Sequence, residues 1–368
     1  MSRVDDGLVW RDALALYPSY VPLRRADGII TACTIPLGFF SGLPFRMSAH
    51  LLGRFCLSAF LGLAAAHTQA AGFQRLTLPM DQNGPGLSGA IWYPCAAPAA
   101  EIKVGRTPIS GVLNCPVPEG RHPLIVMSHG SSGSFLGHHD TAAALANAGF
   151  VVAAVNHVGD NWEDRSRQGY LSIFSTRPRE MRRLIDYMTT AWPQKAKVDA
   201  GKIGIYGFSR GGYTALVLAG GVPDFRAGLA ICQTTPSLPM CRDIAAGKIP
   251  QQSYVHDDRI KAAVIADPLN AFPGDALKAV KIPVQLWASE RGGDGVSPAS
   301  VEAVRQGLPA APDFQMATGA GHFDFLARCP AEQAETLSVY CMEAAGFDRQ
   351  QFHQDLNAKV VEFFKDHL

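Results

Sequence analysis

The stretch "KIGIYGFSRGGYTALVLAGG", residues 202–221, decides the fold, because an apolar, β-branched run leads through Gly-Phe-Ser-Arg-Gly into small helix-forming residues. Gly207 and Gly211 flank Ser209 at the spacing Gly-x-Ser-x-Gly. A tight turn from strand to helix leaves no room for side chains at the flanking positions and exposes the serine hydroxyl above the sheet. We therefore predict a nucleophile at Ser209, held at the N-terminus of a helix whose partial positive charge favours an oxyanion.

Segments on both sides of this turn alternate between strands and helices, and most of the strands are apolar throughout. Such a pattern predicts an α/β fold, in which helices cover both faces of a mostly parallel sheet. The predicted strands are 73–79, 87–94, 122–130, 150–157, 202–207, 260–267, 282–289 and 313–319, and the predicted helices are 138–149, 177–192, the one that opens at Ser209, and 352–368. We expect one catalytic domain over 71–368, with loop-rich excursions at 95–121 and 232–258.

A serine nucleophile needs a base and an orienting acid, and this architecture places them in the chain order serine, acid, histidine. His322 lies in the glycine-rich loop "GAGHFDF" after the last predicted strand, where its imidazole can reach Ser209. Asp294, in "WASERGGDGVSP" after the next-to-last strand, is the preferred acid because a proline fixes its turn. Asp267, at the end of the strand before that, is the alternative acid, and Glu290 is a weaker third candidate.

Two backbone N–H groups should form the oxyanion hole. We assign one to Arg210, directly after the nucleophile, and the other to Ser131 in "SHGSSGS". His129 precedes the serine in the chain, so we expect it to make structural hydrogen bonds rather than act as the base. The cationic side chain of Arg210 either packs away from the site or meets a polar or anionic group of the substrate.

Other conspicuous residues have ordinary explanations beside functional ones. "HHD" at 138–140 opens a predicted helix, where an aspartate suits the helix dipole better than a metal, and we expect no metal or cofactor. "GDNWEDRS" at 159–166 either borders the site or anchors a loop. Phe323 and Phe325, beside the predicted base, either line an acyl pocket or pack in the core.

The N-terminal region has the features of a secretory signal peptide. "MSAHLLGRFCLSAFLGLAAAHTQAAG", which begins at Met47, contains a short positive region, an apolar run and small residues that suit cleavage after Ala70. We therefore predict a signal peptide at 47–70, with Met47 as the natural start and residues 1–46 as a non-native extension.

Cysteine usage agrees with an exported protein. Six cysteines follow the predicted signal peptide: Cys95, Cys115, Cys232, Cys241, Cys329 and Cys341. An even number in an exported chain predicts disulfides. Their order suggests that sequence neighbours pair, although six cysteines allow 15 connectivities. We expect a periplasmic or secreted protein.

The charge balance excludes two classes of partner. The chain has 33 basic and 32 acidic residues, so no overall field attracts nucleic acid or an anionic membrane. We expect a monomer without a stable membrane span after signal cleavage.

Residues 72–368 resemble the α/β-hydrolase superfamily, and within it the secreted bacterial proteins that are dienelactone-hydrolase-like or platelet-activating-factor-acetylhydrolase-like. The resemblance rests on "SHGSSGSFLGHHDTAAALANAGFVVAAVNHVGDN", "RPREMRRLIDYM", "GKIGIYGFSRGGYTALVLAG", "GAGHFDFLARCP" and "CMEAAGFDRQQFHQDLNAKVVEFF". It implies an α/β-hydrolase fold with Ser209 as nucleophile, His322 as base and Ser131 in the oxyanion hole. Dienelactone hydrolases use cysteine at the elbow, so the serine favours ester hydrolysis. "ADPLNAFP" and "DGVSP" each resemble a known acid segment, which leaves Asp267 and Asp294 both open.

These observations predict a serine hydrolase that cleaves carboxylic esters through an acyl-enzyme on Ser209. Its substrate would be a small-molecule, lipid or polyester ester. The alternatives are an amidase or peptidase with the same triad, and a non-catalytic binding protein on a hydrolase scaffold.

Overall fold

The structure is a computed structural model that describes residues 70–249, 254–330 and 338–368. The predicted extension at 1–46 and all but the last residue of the predicted signal peptide at 47–70 lie outside the described residues. Among the described helices, none has the length and hydropathy that crossing a membrane requires.

The described residues form a sheet of ten strands. The strands are β1 (Ala70–Leu78), β2 (Leu87–Cys95), β3 (Ala100–Val104), β4 (Thr107–Leu113), β5 (His122–Ser128), β6 (Val151–Val155), β7 (Val198–Phe208), β8 (Ile260–Ala266), β9 (Val284–Ser289) and β10 (Asp313–Ala317). Their order across the sheet is β10-β9-β8-β7-β5-β6-β2-β1-β4-β3. All neighbours from β10 to β6 pair in parallel, whereas β2 is antiparallel to both β6 and β1. The predicted mostly parallel sheet is confirmed.

Helices pack on both faces of this sheet. They are α1 (His139–Asn147), α2 (Ser172–Thr190), α3 (Arg210–Leu218), α4 (Ile231–Thr234), α5 (Pro239–Ala245), α6 (Pro298–Gly307), α7 (Ser338–Cys341) and α8 (Arg349–His367). One buried cluster joins α2, α3 and α6 to Ile203 and Ile205 of β7, and a second joins α1 and α8 to Tyr206 and Phe208 of the same strand. Because successive side chains of a strand point to opposite faces, the two clusters lie on opposite sides of the sheet.

The carboxyl ends of three adjacent parallel strands define the region of the site. Strands β5, β7 and β8 end at Ser128, Phe208 and Ala266, and the register pairs Ser128 with Gly207 and Phe208 with Ala266. The segments that follow these strands therefore emerge side by side at one edge of the sheet.

The structure departs from the sequence prediction at several elements, among them the short helices α4, α5 and α7, which were not predicted. The excursion at 95–121 contains the hairpin of β3 and β4, which joins the sheet where β4 pairs with β1. Helix α2 begins at Ser172 rather than at 177, so Pro178 lies inside it. Helix α6 was not predicted at all.

The predicted pairing of neighbouring cysteines is confirmed. The disulfides join Cys95 to Cys115, Cys232 to Cys241, and Cys329 to Cys341.

Candidate active site

Ser209 occupies a strained turn between β7 and α3. Its φ of 56° and ψ of −118° lie outside the regions that non-glycine residues ordinarily adopt. A Cβ on Gly207 would lie 2.2 Å from the carbonyl oxygen of Gly211, and a Cβ on Gly211 would lie 1.9 Å from that of Ser128. Both flanking positions thus require glycine, as the spacing Gly-x-Ser-x-Gly suggested.

A chain of hydrogen bonds leads away from this serine. His322 Nε2 lies 3.0 Å from Ser209 Oγ, and His322 Nδ1 lies 2.6 Å from Asp267 Oδ2. Asp267 is fully buried, and its carboxylate also accepts hydrogen bonds from the backbone N–H and the hydroxyl of Ser289. The imidazole packs against the ring of Phe208, with 4.7 Å between the centroids. The three groups therefore have the arrangement of a nucleophile, a base and an orienting acid.

Asp294, the preferred acid from the sequence, is not the residue that contacts His322 in the structure. Its loop turns back on itself through a bridge between Gly293 and Val296, and Asp294 lines both cavities described below. Among the described residues, none forms a hydrogen bond with the Asp294 carboxylate. Desolvation by burial raises the pKa of Asp294, and this effect exceeds the opposite effect of His322 and Arg210. The position facing Nδ1 is occupied by the alternative acid, Asp267, because β8 lies directly beside the nucleophile strand.

Glu290, the third candidate acid, serves the backbone instead. Its carboxylate accepts a hydrogen bond of 2.6 Å from the N–H of Gly319. It therefore fixes the loop after β10 and does not reach the imidazole.

The two predicted oxyanion donors border the same space as the nucleophile. Ser131 and Ser209 line both cavities at the site, and Arg210 lines the smaller one. The hydrogen bonds of the described residues include none from the N–H of Ser131 or Arg210, and the latter belongs to the first turn of α3, where N–H groups have no partner within the helix. The next N–H along the loop, that of Ser132, donates to Asp160 and is not free.

The side chain of Arg210 packs away from the cavity. Its guanidinium donates a 2.7 Å hydrogen bond to Asp160 and lies 5.2 Å from the ring centre of Phe174. Only 5% of the residue is exposed, which favours the alternative in which the guanidinium packs in the interior. Burial opposes ionisation of Asp160, but the guanidinium groups of Arg177 and Arg210 outweigh it and hold the pKa of this carboxyl well below its usual value.

Two cavities meet at Ser209. The larger has a volume of about 570 Å³ and the smaller about 210 Å³. The larger cavity is lined by the aromatic residues Phe135, Trp162, Phe208, Phe323 and Tyr340 and by the cationic residues Arg75, Arg106 and Arg328. The residues that line the smaller one include Ile231, Thr235, Leu238, Met240 and Leu269. An ester has a group on each side of its carbonyl carbon, and the site offers a separate space for each.

The remaining candidates from the sequence divide between the cavity and the core. Trp162 is half-exposed and borders the larger cavity, whereas Asp160 and Asn161 are buried and anchor their loop. Phe323 lines the cavity, and Phe325 is buried in the core.

The "HHD" segment makes structural contacts. Asp140 pairs with His353 of α8 at 2.6 Å, and His138 packs against Tyr206. Among the residues that the structure describes, no group of three or more His, Cys, Asp or Glu side chains is arranged to hold a metal ion.

The loop at 129–134, which carries Ser131, is called the oxyanion loop below. Three buried polar residues near it, His157, Arg177 and Glu180, were missed in the sequence. Arg177 and Glu180 lie on α2, and Glu180 pairs with His157 at 2.7 Å. A signal was present, because Arg177 and Glu180 each precede an apolar residue of the helix, Met181 and Leu184, by four positions. Charges on the apolar face of a helix indicate buried partners.

Comparison with known proteins agrees with this architecture. Residues 109–266 match the dienelactone hydrolase family. The chain is 32% identical to a protein provisionally named esterase NocK, from Nocardia uniformis subsp. tsuyamanensis, over 162 residues. That match covers 43% of this chain and 43% of NocK, so the chain spans less than half the length of this relative.

The fold also resembles a solved structure over most of its length. A ferulic acid esterase from Streptomyces cinnamoneus superposes with a TM-score of 0.54 at 19% identity, covering 83% of this chain and 91% of that one. The protein therefore has the fold of the α/β-hydrolases, as the sequence predicted. Its residues 109–266 are similar to the dienelactone hydrolase family, in agreement with the resemblance seen in the sequence.

Proposed function

We propose that the protein is a serine esterase that hydrolyses carboxylic esters through an acyl-enzyme on Ser209. The observation that carries the proposal is the hydrogen-bonded chain from Asp267 through His322 to Ser209, at distances of 2.6 and 3.0 Å. In this proposal Asp267 takes the place of Asp294 as the triad acid.

The mechanism follows from this geometry. His322 Nε2 takes the proton of Ser209 Oγ as the oxygen attacks the ester carbonyl carbon, and the N–H groups of Ser131 and Arg210 stabilise the oxyanion. When the carbon–oxygen bond to the alcohol breaks, the imidazolium returns the proton to the leaving oxygen. Water then attacks the acyl-enzyme by the same route and releases the acid. Asp267 accepts the Nδ1–H throughout, which keeps Nε2 free to act as the base.

The relatives support the reaction class. NocK bears the name of an esterase, and the structural neighbour is a ferulic acid esterase. The proposed substrate is accordingly an ester, whether small-molecule, lipid or polyester.

The test uses a fluorophosphonate probe and a p-nitrophenyl ester. The wild-type chain should be labelled at Ser209 and should turn over the ester, whereas Ser209→Ala should lose labelling and several orders of magnitude of turnover with unchanged thermal melting. A p-nitroanilide of the same acyl group tests the amidase alternative. Absence of labelling in the folded wild type would point to a binding protein, and near-full esterase activity in Ser209→Ala would exclude this serine as nucleophile.

We further propose that the protein is exported to the periplasm or secreted. Three disulfides suit an oxidising compartment, and the pattern at 47–70 suits a signal peptide. N-terminal sequencing of the exported protein should give a chain that begins at Ala71. A mature chain that begins before Met47 would contradict both the signal peptide and the proposed start.

A further inference from the structure

Three buried side chains lie within the oxyanion loop or form hydrogen bonds with it. They are Arg177 of α2, Asp160 of the loop after β6, and His129 of the oxyanion loop itself, with exposed fractions of 1%, 0% and 3%. We propose that they are positioning residues, which aim the N–H groups of Ser131 and Arg210 at the oxyanion. This inference rests on the ester hydrolysis proposed above.

The first step is the capture of two carbonyl groups. Arg177 Nη1 donates to the carbonyl oxygen of His129 at 2.6 Å, and Arg177 Nη2 donates to that of Gly130 at 3.0 Å. The carbonyl oxygen of Gly130 also accepts a 2.7 Å hydrogen bond from His129 Nδ1. The loop therefore turns its carbonyl oxygens toward buried donors.

Peptide geometry converts this capture into an orientation of the donor. The carbonyl of Gly130 and the N–H of Ser131 belong to one peptide group, and none of the described peptide bonds is cis. In a planar trans peptide the C=O and the N–H point in opposite directions. Since Arg177 and His129 hold the C=O inward, the N–H of Ser131 points outward, to the cavity that Ser131 lines.

Asp160 joins this loop to the second donor. Its Oδ2 forms an ion pair with Arg177 Nη2 at 2.7 Å and accepts a 2.7 Å hydrogen bond from Arg210 Nη1, and its Oδ1 accepts from the N–H of Ser132 at 3.1 Å. Ser132 has a left-handed φ of 51°, which needs such a contact to persist. One buried carboxylate thus sets both oxyanion donors relative to each other, and the two guanidinium groups leave a net positive charge beside the hole.

His129 contributes in a single tautomer. Nδ1 donates to a carbonyl oxygen, and Nε2 accepts from the N–H of His157 at 3.2 Å. Burial and the charge of Arg177 lower the pKa of His129 well below its usual value, so the ring stays neutral. The ring accordingly holds the loop through these two hydrogen bonds and does not act as a base.

A positioning role predicts a loss specific to the oxyanion. Arg177→Lys keeps the charge but cannot reproduce the planar fork that holds two carbonyls. It should lower kcat by about 10²-fold, the scale of losing one oxyanion donor, with a much smaller change in KM. A thionoester of the same acyl group places sulfur in the hole and gains less from N–H donors. The ratio of ester to thionoester kcat/KM should therefore fall with kcat.

Arg183→Lys is the matched control. Arg183 is also on α2 and buried, and it also donates to two backbone carbonyls, those of Pro79 and Pro85, but these lie outside the site. The control should lower the melting temperature without changing the ratio of ester to thionoester turnover. Asp160→Asn, which retains the shape of the side chain, serves as the second variant if Arg177→Lys fails to fold, and it too should lower the ratio.

The result that overturns the inference is a folded Arg177→Lys or Asp160→Asn with an unchanged ester-to-thionoester ratio, whatever its kcat. An equal fall of the ratio in Arg183→Lys would also overturn it, because the effect would then be a general loss of structure. Failure of the proposed function gives a different result, since the wild type would then show neither ester turnover nor labelling of Ser209.

Discussion

At the scale of single residues, strain gathers where the chemistry is proposed. Ser209, Asp267 and Asp294 all have left-handed φ values, of 56°, 45° and 48°. Such conformations persist only where surrounding contacts hold them, and they concentrate at functional sites. The sequence pointed to Ser209 and His322 because the elbow and the late glycine-rich loop are local patterns, and the structure places their side chains 3.0 Å apart. The sequence favoured Asp294 over Asp267, but the acid that contacts the imidazole depends on how far each strand end lies from it, and this distance is not visible in the sequence.

Replacing the two aspartates separately should therefore have unequal effects. Asp267→Asn should lower kcat by about 10³- to 10⁴-fold, because the amide cannot hold the imidazole in the tautomer that keeps Nε2 free. Asp294→Asn should change kcat by only a few-fold, since its carboxylate makes no hydrogen bond to His322. Steady-state kinetics on both variants, with melting temperatures to confirm folding, measure this. The reverse order would restore Asp294 as the triad acid.

At the scale of elements, the strand–elbow–helix unit was predictable and the starts of helices were less so. The predicted start at 177 would place Pro178 in the first turn of the helix, where proline is favoured. In the structure α2 begins at Ser172, and the carbonyl of Phe174 loses its partner within the helix because proline has no N–H. Tyr213 of α3 supplies the missing donor through its hydroxyl, at 3.3 Å. A partner from a distant helix cannot be seen in the local sequence.

The edge hairpin was missed for a similar reason. Strand β4, "TPISGVL", contains Pro108 and Gly111, which locally disfavour a strand. It forms because it pairs with the neighbouring strand β3 and also with β1. The residues of β1 lie far upstream in the sequence, so a local pattern does not show this second pairing. In contrast, the start of α6 had a readable signal, because Ser297 and Ser300 form a capping box around Pro298.

Helices α1 and α8 are joined by a partly buried ion pair beside the segment that carries His322. His353 Nδ1 contacts Asp140, and His353 Nε2 donates to the carbonyl of Asp324, two residues after His322. Burial disfavours the charged form of both residues. The hydrogen bond and the opposite charge of the partner favour the charged form, and together they exceed the effect of burial. The pKa of Asp140 is thereby lowered and that of His353 raised.

These two shifts define a pH window for stability. The lowered pKa of Asp140 gives stability that is present above about pH 4 and lost as the pH falls, and the raised pKa of His353 gives stability that is present below about pH 6.5 and lost as the pH rises. Asp140→Asn should therefore reduce the free energy of unfolding most near pH 5 to 6. Urea unfolding of the wild type and of Asp140→Asn from pH 4 to pH 9 measures the difference between their free energies of unfolding. A difference that stays constant over this range would exclude the ion pair as its source.

At the scale of the whole molecule, each disulfide lies next to a wall of one cavity. The segment between Cys95 and Cys115 carries Gly105 and Arg106, at the tip of the hairpin that borders the larger cavity. Tyr340, next to Cys341, borders the same cavity. The segment between Cys232 and Cys241 supplies Thr235, Leu238 and Met240 to the smaller one. The additions to the sheet thus form the walls of the site, and the disulfides restrain them.

Removing the disulfide between Cys95 and Cys115 should therefore affect both stability and the binding of large esters. The double variant Cys95→Ser, Cys115→Ser should lose about 3 kcal/mol of unfolding free energy, because the unfolded chain gains conformational entropy when a cross-link over a loop of this length is removed. Because Ser209, His322 and Asp267 lie outside the hairpin, turnover of p-nitrophenyl acetate should persist. The KM for a bulky ester that fills the larger cavity should rise, because the hairpin tip is no longer restrained. Urea unfolding and the two KM values measure these effects, and an equal change in KM for both esters would mean that the hairpin does not shape the substrate site.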